Sequence, residues 1–202
     1  MPRSTQPARE RLLRAADELF YTHGIAATGV DTVIEKAGVA TGSLYKNFGG
    51  KADLVAAYLA DRDRRFAELW EAHIDDAPDA RTRLLALFAT HETWTRQTGA
   101  RRGCAHVAAA TQLPDDHVGV VAAVDHKRRL IDRLTELAEA AGASQPRELA
   151  RDVALIYDGM LNAQAIGLDP APVARARRLA EQMVDAALTR PPDTRSANPE
   201  SP

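Results

Sequence analysis

The sequence predicts an all-α fold, a small three-helix unit at the N-terminus followed by a larger helical body, and three observations carry that prediction. Apolar side chains recur three and four residues apart along most of the 202 residues, whereas two-residue alternation survives nowhere for more than a few positions. Aromatic residues make up only 5% of a chain that is 45% apolar, so alanine and leucine must supply the core, and both favour helix. Gly49-Gly50, Ala77-Pro78, Gly99, Leu113-Pro114, Gly142 and Asp169-Pro170 fall between the periodic stretches, where helices stop or restart.

Taken in order, these signals place helices at 8–23, 30–37, 41–47, 51–75, 79–98, 103–111, 116–141, 146–167 and 171–189. The first has a stripe at Leu12, Ala16, Leu19, Phe20 and His23 and stops at Gly24. The second, Val33 to Ala37, meets the third across Gly38, where a tight turn requires the positive φ that other residues resist. On the third helix Leu44 and Phe48, four apart, face one side. The fourth is long and joins the N-terminal unit to the body. The fifth carries Leu84, Leu87, Phe88, His91 and Trp94 on one face. The last two have stripes too wide for a single neighbour: Leu149, Val153, Ile156, Tyr157, Met160, Leu161 and Ala165, then Val173, Ala176, Leu179, Ala180, Met183, Val184 and Leu188. Residues 1–7 and 191–202, with prolines among polar residues, are expected to be disordered tails. The expected domains are therefore a helix-turn-helix unit over 8–52 and a helical body over 53–190.

Charge narrows the function. The chain has a formal net charge of −2, yet residues 1–51 hold seven basic and five acidic side chains. The slightly acidic whole argues against a protein that coats nucleic acid indiscriminately, and so small an asymmetry means that specific phosphate contacts must do more than bulk charge. The lone cysteine, Cys104, excludes an internal disulfide and suits a reducing compartment. No stretch approaches a membrane span and the start lacks the apolar core of a signal peptide, so the expectation is a cytoplasmic protein without a membrane partner.

The ordered series from Arg9 to Leu54 resembles the tetracycline-repressor (TetR/AcrR) family: Ala15-Ala16 and Leu19-Phe20, Gly24, Thr28, Ala37-Gly38-Val39, Leu44-Tyr45, Phe48, Lys51 and Leu54. The resemblance implies a DNA-binding transcriptional regulator, a repressor that holds a palindromic double-stranded operator as a homodimer and is released by a small apolar inducer. By the same resemblance Thr41, Gly42, Lys46 and Asn47 lie against bases or the adjoining backbone, while Ser43, Tyr45 and Lys51 hold phosphates. Thr28 is expected to cap the second helix or bond a phosphate. Three departures bear on operator sequence and affinity: Ile34 replaces a small alanine, Asp31 brings a carboxylate near the groove, and Gly49-Gly50-Lys51-Ala52 replaces a stiffer turn followed by Lys-Glu.

In the body, Leu87, Phe88, His91 and Trp94 could line a mostly apolar ligand pocket with a few placed polar groups, joined by Cys104, Val107, Val120, Val124, Tyr157, Leu161 and Asn162. The competing reading packs His91 and Trp94 in the core, the imidazole bonded to a backbone carbonyl. The dimer interface is expected at Leu149, Val153, Ile156, Met160, Leu179, Met183 and Val184. Cys104, His106, His117 and His126 suggest metal, but Cys-x-His within a helix sets the two side chains about 200° apart and no second ligand pair follows. Neither metal nor cofactor is expected. Arg101 and Arg102 beside Cys104 leave a redox-responsive regulator as an alternative. Asp115-Asp116-His117 and Asp125-His126 are the only hint of an enzyme, and favourable charge at a helix start explains the acids as well. With no nucleophile elbow or phosphate loop, an enzyme is not expected.

Overall fold

The computed structural model describes residues 6–189, so the tails expected at 1–7 and 191–202 lie outside the described residues except for Gln6 and Pro7. The described residues form nine α-helices: α1 Ala8–His23, α2 Val30–Ala37, α3 Thr41–Asn47, α4 Lys51–Asp75, α5 Ala80–Thr98, α6 Ala105–Gln112, α7 Val118–Ala140, α8 Pro146–Ile166 and α9 Pro172–Thr189. The first four have the boundaries the periodicity predicts. The others shift by one or two residues, each for a local reason. Asp79, for example, stands outside α5 as its N-cap, its carboxylate accepting from the Thr82 amide at 2.7 Å. Pro146 opens α8 at the expected position, where its missing N–H would have had no partner in any case.

Two compact units emerge, each built from separate stretches of chain. The first comprises the residues up to Glu68 together with Ala100–Arg128; the second comprises Leu69–Gly99 and the described residues from Arg129 onward. Helices α4 and α7 each contribute to both.

The first unit has a core of Leu12, Ala16, Phe20, Val33, Leu44 and Phe48, but that core does not close at residue 52. Val55, Tyr58 and Leu59 from α4 and Ala105 and Ala109 from α6 complete it. Three short helices of this size bury too little apolar surface to hold together alone, which is why the chain recruits two more. The Phe20 and Tyr58 rings meet edge to face at 5.6 Å. Asp17 of α1 takes Arg62 at 2.6 Å and Arg65 at 2.7 Å, both from α4. The Arg62 guanidinium also lies 4.1 Å from the centre of the Tyr21 ring, a cation–π contact in a buried setting. The end of α1 is tied to the 100–112 segment as well: the Tyr21 hydroxyl accepts from the Arg102 amide at 2.7 Å and donates to the Gly103 carbonyl at 3.1 Å, and the Ile25 amide donates to Gln112 Oε1 at 3.0 Å.

In the second unit α8 and α5 both pack on α9. Leu84, Leu87, Phe88, Ala150, Val153, Ala180 and Val184 are fully buried there. Arg133 holds Glu71 through two bonds, of 2.6 and 2.9 Å, and Arg81 holds Asp185 in the same forked manner.

Candidate functional site

The site with the clearest geometry is the outer side of α3. Helix α2 ends at Gly38 with φ 61° and ψ 40°, the left-handed conformation, and the Gly38 and Val39 amides return to the carbonyls of Glu35 and Ile34. A Cβ on Gly38 would come no nearer than 3.9 Å to a neighbouring atom, so backbone conformation and not space demands glycine here. The turn delivers α3 with Leu44 fully buried and Phe48 buried behind it. Thr41, Gly42, Tyr45, Lys46 and Asn47 are left exposed, with Ser43 and Lys51 partly so. Tyr45 is 57% exposed, which sets it outside the core as a hydroxyl-bearing aromatic at the surface. Asn47 Nδ2 donates to the Ser43 carbonyl at 2.7 Å and Lys51 Nζ to the Ala26 carbonyl at 3.4 Å, so both side chains are held against backbone at the surface.

Thr28 is a correction. It is only 4% exposed, its hydroxyl donates to the Gly24 carbonyl at 2.7 Å, and the N-cap of α2 is Gly29. The residue fastens the loop back onto the end of α1 in place of capping α2, because its side chain points inward beneath Gly24.

The eleven residues expected around a ligand divide between the units. Leu87, Phe88, His91, Trp94, Tyr157, Leu161 and Asn162 belong to the second and Cys104, Val107, Val120 and Val124 to the first. Within the second unit His91 is buried and bonded to side chains instead of a carbonyl: Nε2 donates to Gln164 Oε1 at 2.7 Å, and Nδ1 accepts from the Tyr157 hydroxyl at 3.3 Å. Burial pushes the His91 pKa below its ordinary value, opposed by the bond to Gln164. Phe88 and Tyr157 meet edge to face at 6.2 Å beside it, while Asn162 is exposed. In the first unit Val107 and Val124 are exposed and Val120 is half-buried. A cavity of about 280 Å³ that periodicity gave no sign of lies in this unit, between the end of α1 and α6, with Tyr21, Tyr58, Arg102 and Gln112 in its wall.

The expected dimer face also needs correcting. Leu149, Val153, Met160 and Val184 are buried inside the chain by the packing of α8 and α5 on α9, and cannot face a partner. Ile156 and Met183 are half-buried, and Leu179 is 50% exposed. The apolar surface left bare is Leu155 at 73% and Ile166 at 67% on α8, residues that fell outside the expected interface. Leu155, Gly159, Asn162 and Ile166 recur at helical spacing and are all exposed, so they share one open face.

Cys104, His106 and His126 come together, contrary to the helical-spacing argument. Their ligand atoms all lie within 4.8 Å of one another. Cys104 and His106 would be held apart only if both lay within one helix. Cys104 is instead the extended residue before α6, φ −81° and ψ 123°, and His126 arrives from α7. The two imidazoles stack with centroids 3.9 Å apart and planes 7° from parallel, and His126 Nδ1 bonds Asp63 Oδ1 at 2.6 Å. Burial pushes the Cys104 thiol up, but the bonds from His106 and His126 and the charge of Lys127 outweigh it and hold the pKa well below the thiol range. Burial likewise lowers His126, yet the Asp63 carboxylate and Cys104 prevail and raise it to about 9.

Residues 12–58 match the sequence model of the family described as bacterial regulatory proteins, tetR family. The chain is 30% identical over 177 residues to the transcriptional regulator AcuR of Cereibacter sphaeroides, covering 82% of this chain and 80% of that one. Among solved structures it is similar to a TetR-family transcriptional regulator of Streptomyces coelicolor, with a TM-score of 0.78, 28% identity and coverage of 90% and 94% of the two chains. A TetR-type transcriptional regulator of Streptomyces avermitilis aligns with a TM-score of 0.77 at 32% identity, over 90% of this chain and 98% of that one.

Proposed function

The chain belongs to the tetR family of bacterial regulatory proteins and is a DNA-binding transcriptional regulator, not an enzyme; from that premise we propose that it is a dimeric repressor whose operator grip is released by a small apolar ligand. The observation that carries the reading is the division of α3, anchored by Leu44 and Phe48 and bare at Thr41, Gly42, Tyr45, Lys46 and Asn47. A helix presented in this way fits a major groove, and a two-fold pair of them fits the half-sites of a palindrome. Ser43, Tyr45 and Lys51 hold phosphates, whereas Thr41, Gly42, Lys46 and Asn47 face base edges or the adjoining backbone. Thr28 acts from beneath, keeping the loop before α2 in place.

The open face of Leu155, Gly159 and Ile166 on α8, with Leu179 on α9, supports dimerisation, since so much apolar surface is costly to leave in water. For sensing, the buried His91 and Tyr157 and the half-buried Gln164 supply the few polar groups that an otherwise apolar ligand needs. A ligand releases DNA only by favouring a conformation that fits the duplex less well. Helix α4, which contributes to both units, is the element through which that preference reaches α3. The protein works in the cytoplasm, where its duplex lies.

Selection of bound fragments from the source genome at near-physiological salt tests this. The expected result is a palindromic sequence, held by a species that sedimentation shows to be a dimer, with Leu155→Asp losing dimer and operator together. A monomer at micromolar concentration would end the dimeric reading, and uniform retention of all fragments would end the sequence-specific one.

A further inference from the structure

We infer that Cys104, His106 and His126 form a transition-metal site, one thiolate and two imidazoles, with Asp63 as its outer partner and a fourth position left for water or a small ligand. The inference concerns the first unit alone and does not rest on the dimer or inducer readings. Three donors converge from separate places, the residue before α6, the first turn of α6 and the middle of α7, and each offers a ligand atom within 4.8 Å of the others. The set is borderline to soft. It suits Zn(II) and its first-row neighbours, whereas Mg(II) and Ca(II) take oxygen.

The bond between His126 Nδ1 and Asp63 Oδ1, 2.6 Å long, is the strongest sign of a ligand. A metal-bound histidine almost always gives its second nitrogen to a carboxylate or carbonyl, which fixes the ring and makes the free nitrogen a better donor. Here Asp63 occupies Nδ1, leaving Nε2 for the metal. Around a tetrahedral ion with the usual bond lengths the donors would stand roughly 3.3–3.6 Å apart, so no pair of them need close by more than about an ångström. The stacked rings of His106 and His126 must also splay, because an ion lying between parallel planes would meet neither lone pair. Both movements are within reach of side chains. The bound ion would cross-link α6 to α7, and through Asp63 to α4.

The test uses the full chain, stripped of metal by a chelator under reducing conditions and then titrated with Co(II). One equivalent is expected to give a thiolate-to-cobalt charge-transfer band together with the visible bands of a four-coordinate ion, and Zn(II) should bleach both. Cys104→Ser should abolish the charge-transfer band, and Asp63→Asn should keep it while weakening binding about 10–100-fold. X-ray absorption of the zinc-loaded wild type needs no variant and should find one sulfur with nitrogen neighbours. No cobalt band at micromolar protein, a band surviving in Cys104→Ser, a sulfur-free shell, or a Cys104 that iodoacetamide alkylates equally fast with and without Zn(II) would each overturn the inference.

Discussion

Helices α3 and α8 both carry apolar side chains, and they dispose of them in opposite ways. The seven residues of α3 offer one buried side chain, Leu44, and a polar remainder, so pattern alone says which side faces in. Helix α8 is apolar over much of its circumference. It buries Leu149, Ala150, Val153, Ala154, Tyr157, Met160 and Leu161 and still leaves Leu155 and Ile166 in the open. The comparison teaches that a stripe reports its inward face only when it is narrow. A wide stripe says that a helix has two neighbours without saying which residues meet which.

The sharpest test of this contrast sets one carboxylate in each unit against the other. Asp17→Ala deprives buried Arg62 and half-buried Arg65 of their shared partner and should cost about 3 kcal/mol, whereas Asp185→Ala, whose carboxylate and partner Arg81 are both exposed, should leave stability nearly unchanged. Urea unfolding of both variants gives the comparison, and equal losses would break it.

Two glycines extend it. Gly38→Ala forces a side chain into the left-handed region and should lose about 1–2 kcal/mol along with operator affinity. Gly159→Ala lies inside α8 with nothing within 4 Å of the new Cβ, so it should raise protomer stability by about 0.5–1 kcal/mol. If the open α8 face is the dimer contact, the same substitution should weaken dimerisation in sedimentation. An unchanged dimer would move the contact elsewhere.

Smaller in energy but diagnostic is the salt response of DNA binding. Lys51→Ala should reduce the slope of log affinity against log salt by about one and weaken all sequences alike, while Asn47→Ala should alter preference among sequences. An unchanged slope would remove Lys51 from the phosphates.

The smallest effect belongs to His91. Its folded pKa lies below its ordinary value of 6.5, so the unfolded chain binds the proton more readily. The contribution is therefore complete above about pH 6.5 and is lost as pH falls from there toward the depressed folded value. The melting temperature of the wild type should fall more steeply over that window than that of His91→Gln; parallel profiles would show that the imidazole is not held neutral.

Much of the fold was legible because its punctuation is local. Gly24, Gly38, Gly99 and Pro146 act within their own turns, and the helices they bound came out within one or two residues. The exposed side of α3 was legible for the same reason. What sequence could not give depends on distant chain. The face of α8 that is covered, for instance, is decided by α9. The cluster at Cys104 was hidden by a single local error, a helix expected to begin at 103 that begins at 105, together with a histidine from α7 that no spacing rule could bring in.

The bond from the Ile25 amide to Gln112 spans 87 positions, and Ala105 and Ala109 fill the same core. In terms of synthesis, helices α1–α3 leave the ribosome long before their support exists. From the end of α3 at Asn47 to Gln112 the ribosome must add about 65 residues, which takes roughly 3–13 s at ordinary bacterial rates. During that interval Leu12, Phe20 and Leu44 lack part of their cover, and a nascent chain halted near residue 90 should be cut by protease within α1–α3 where one halted past residue 150 resists. The order of the helices along the chain thus delays the regulator's grip on DNA until its body is well under way.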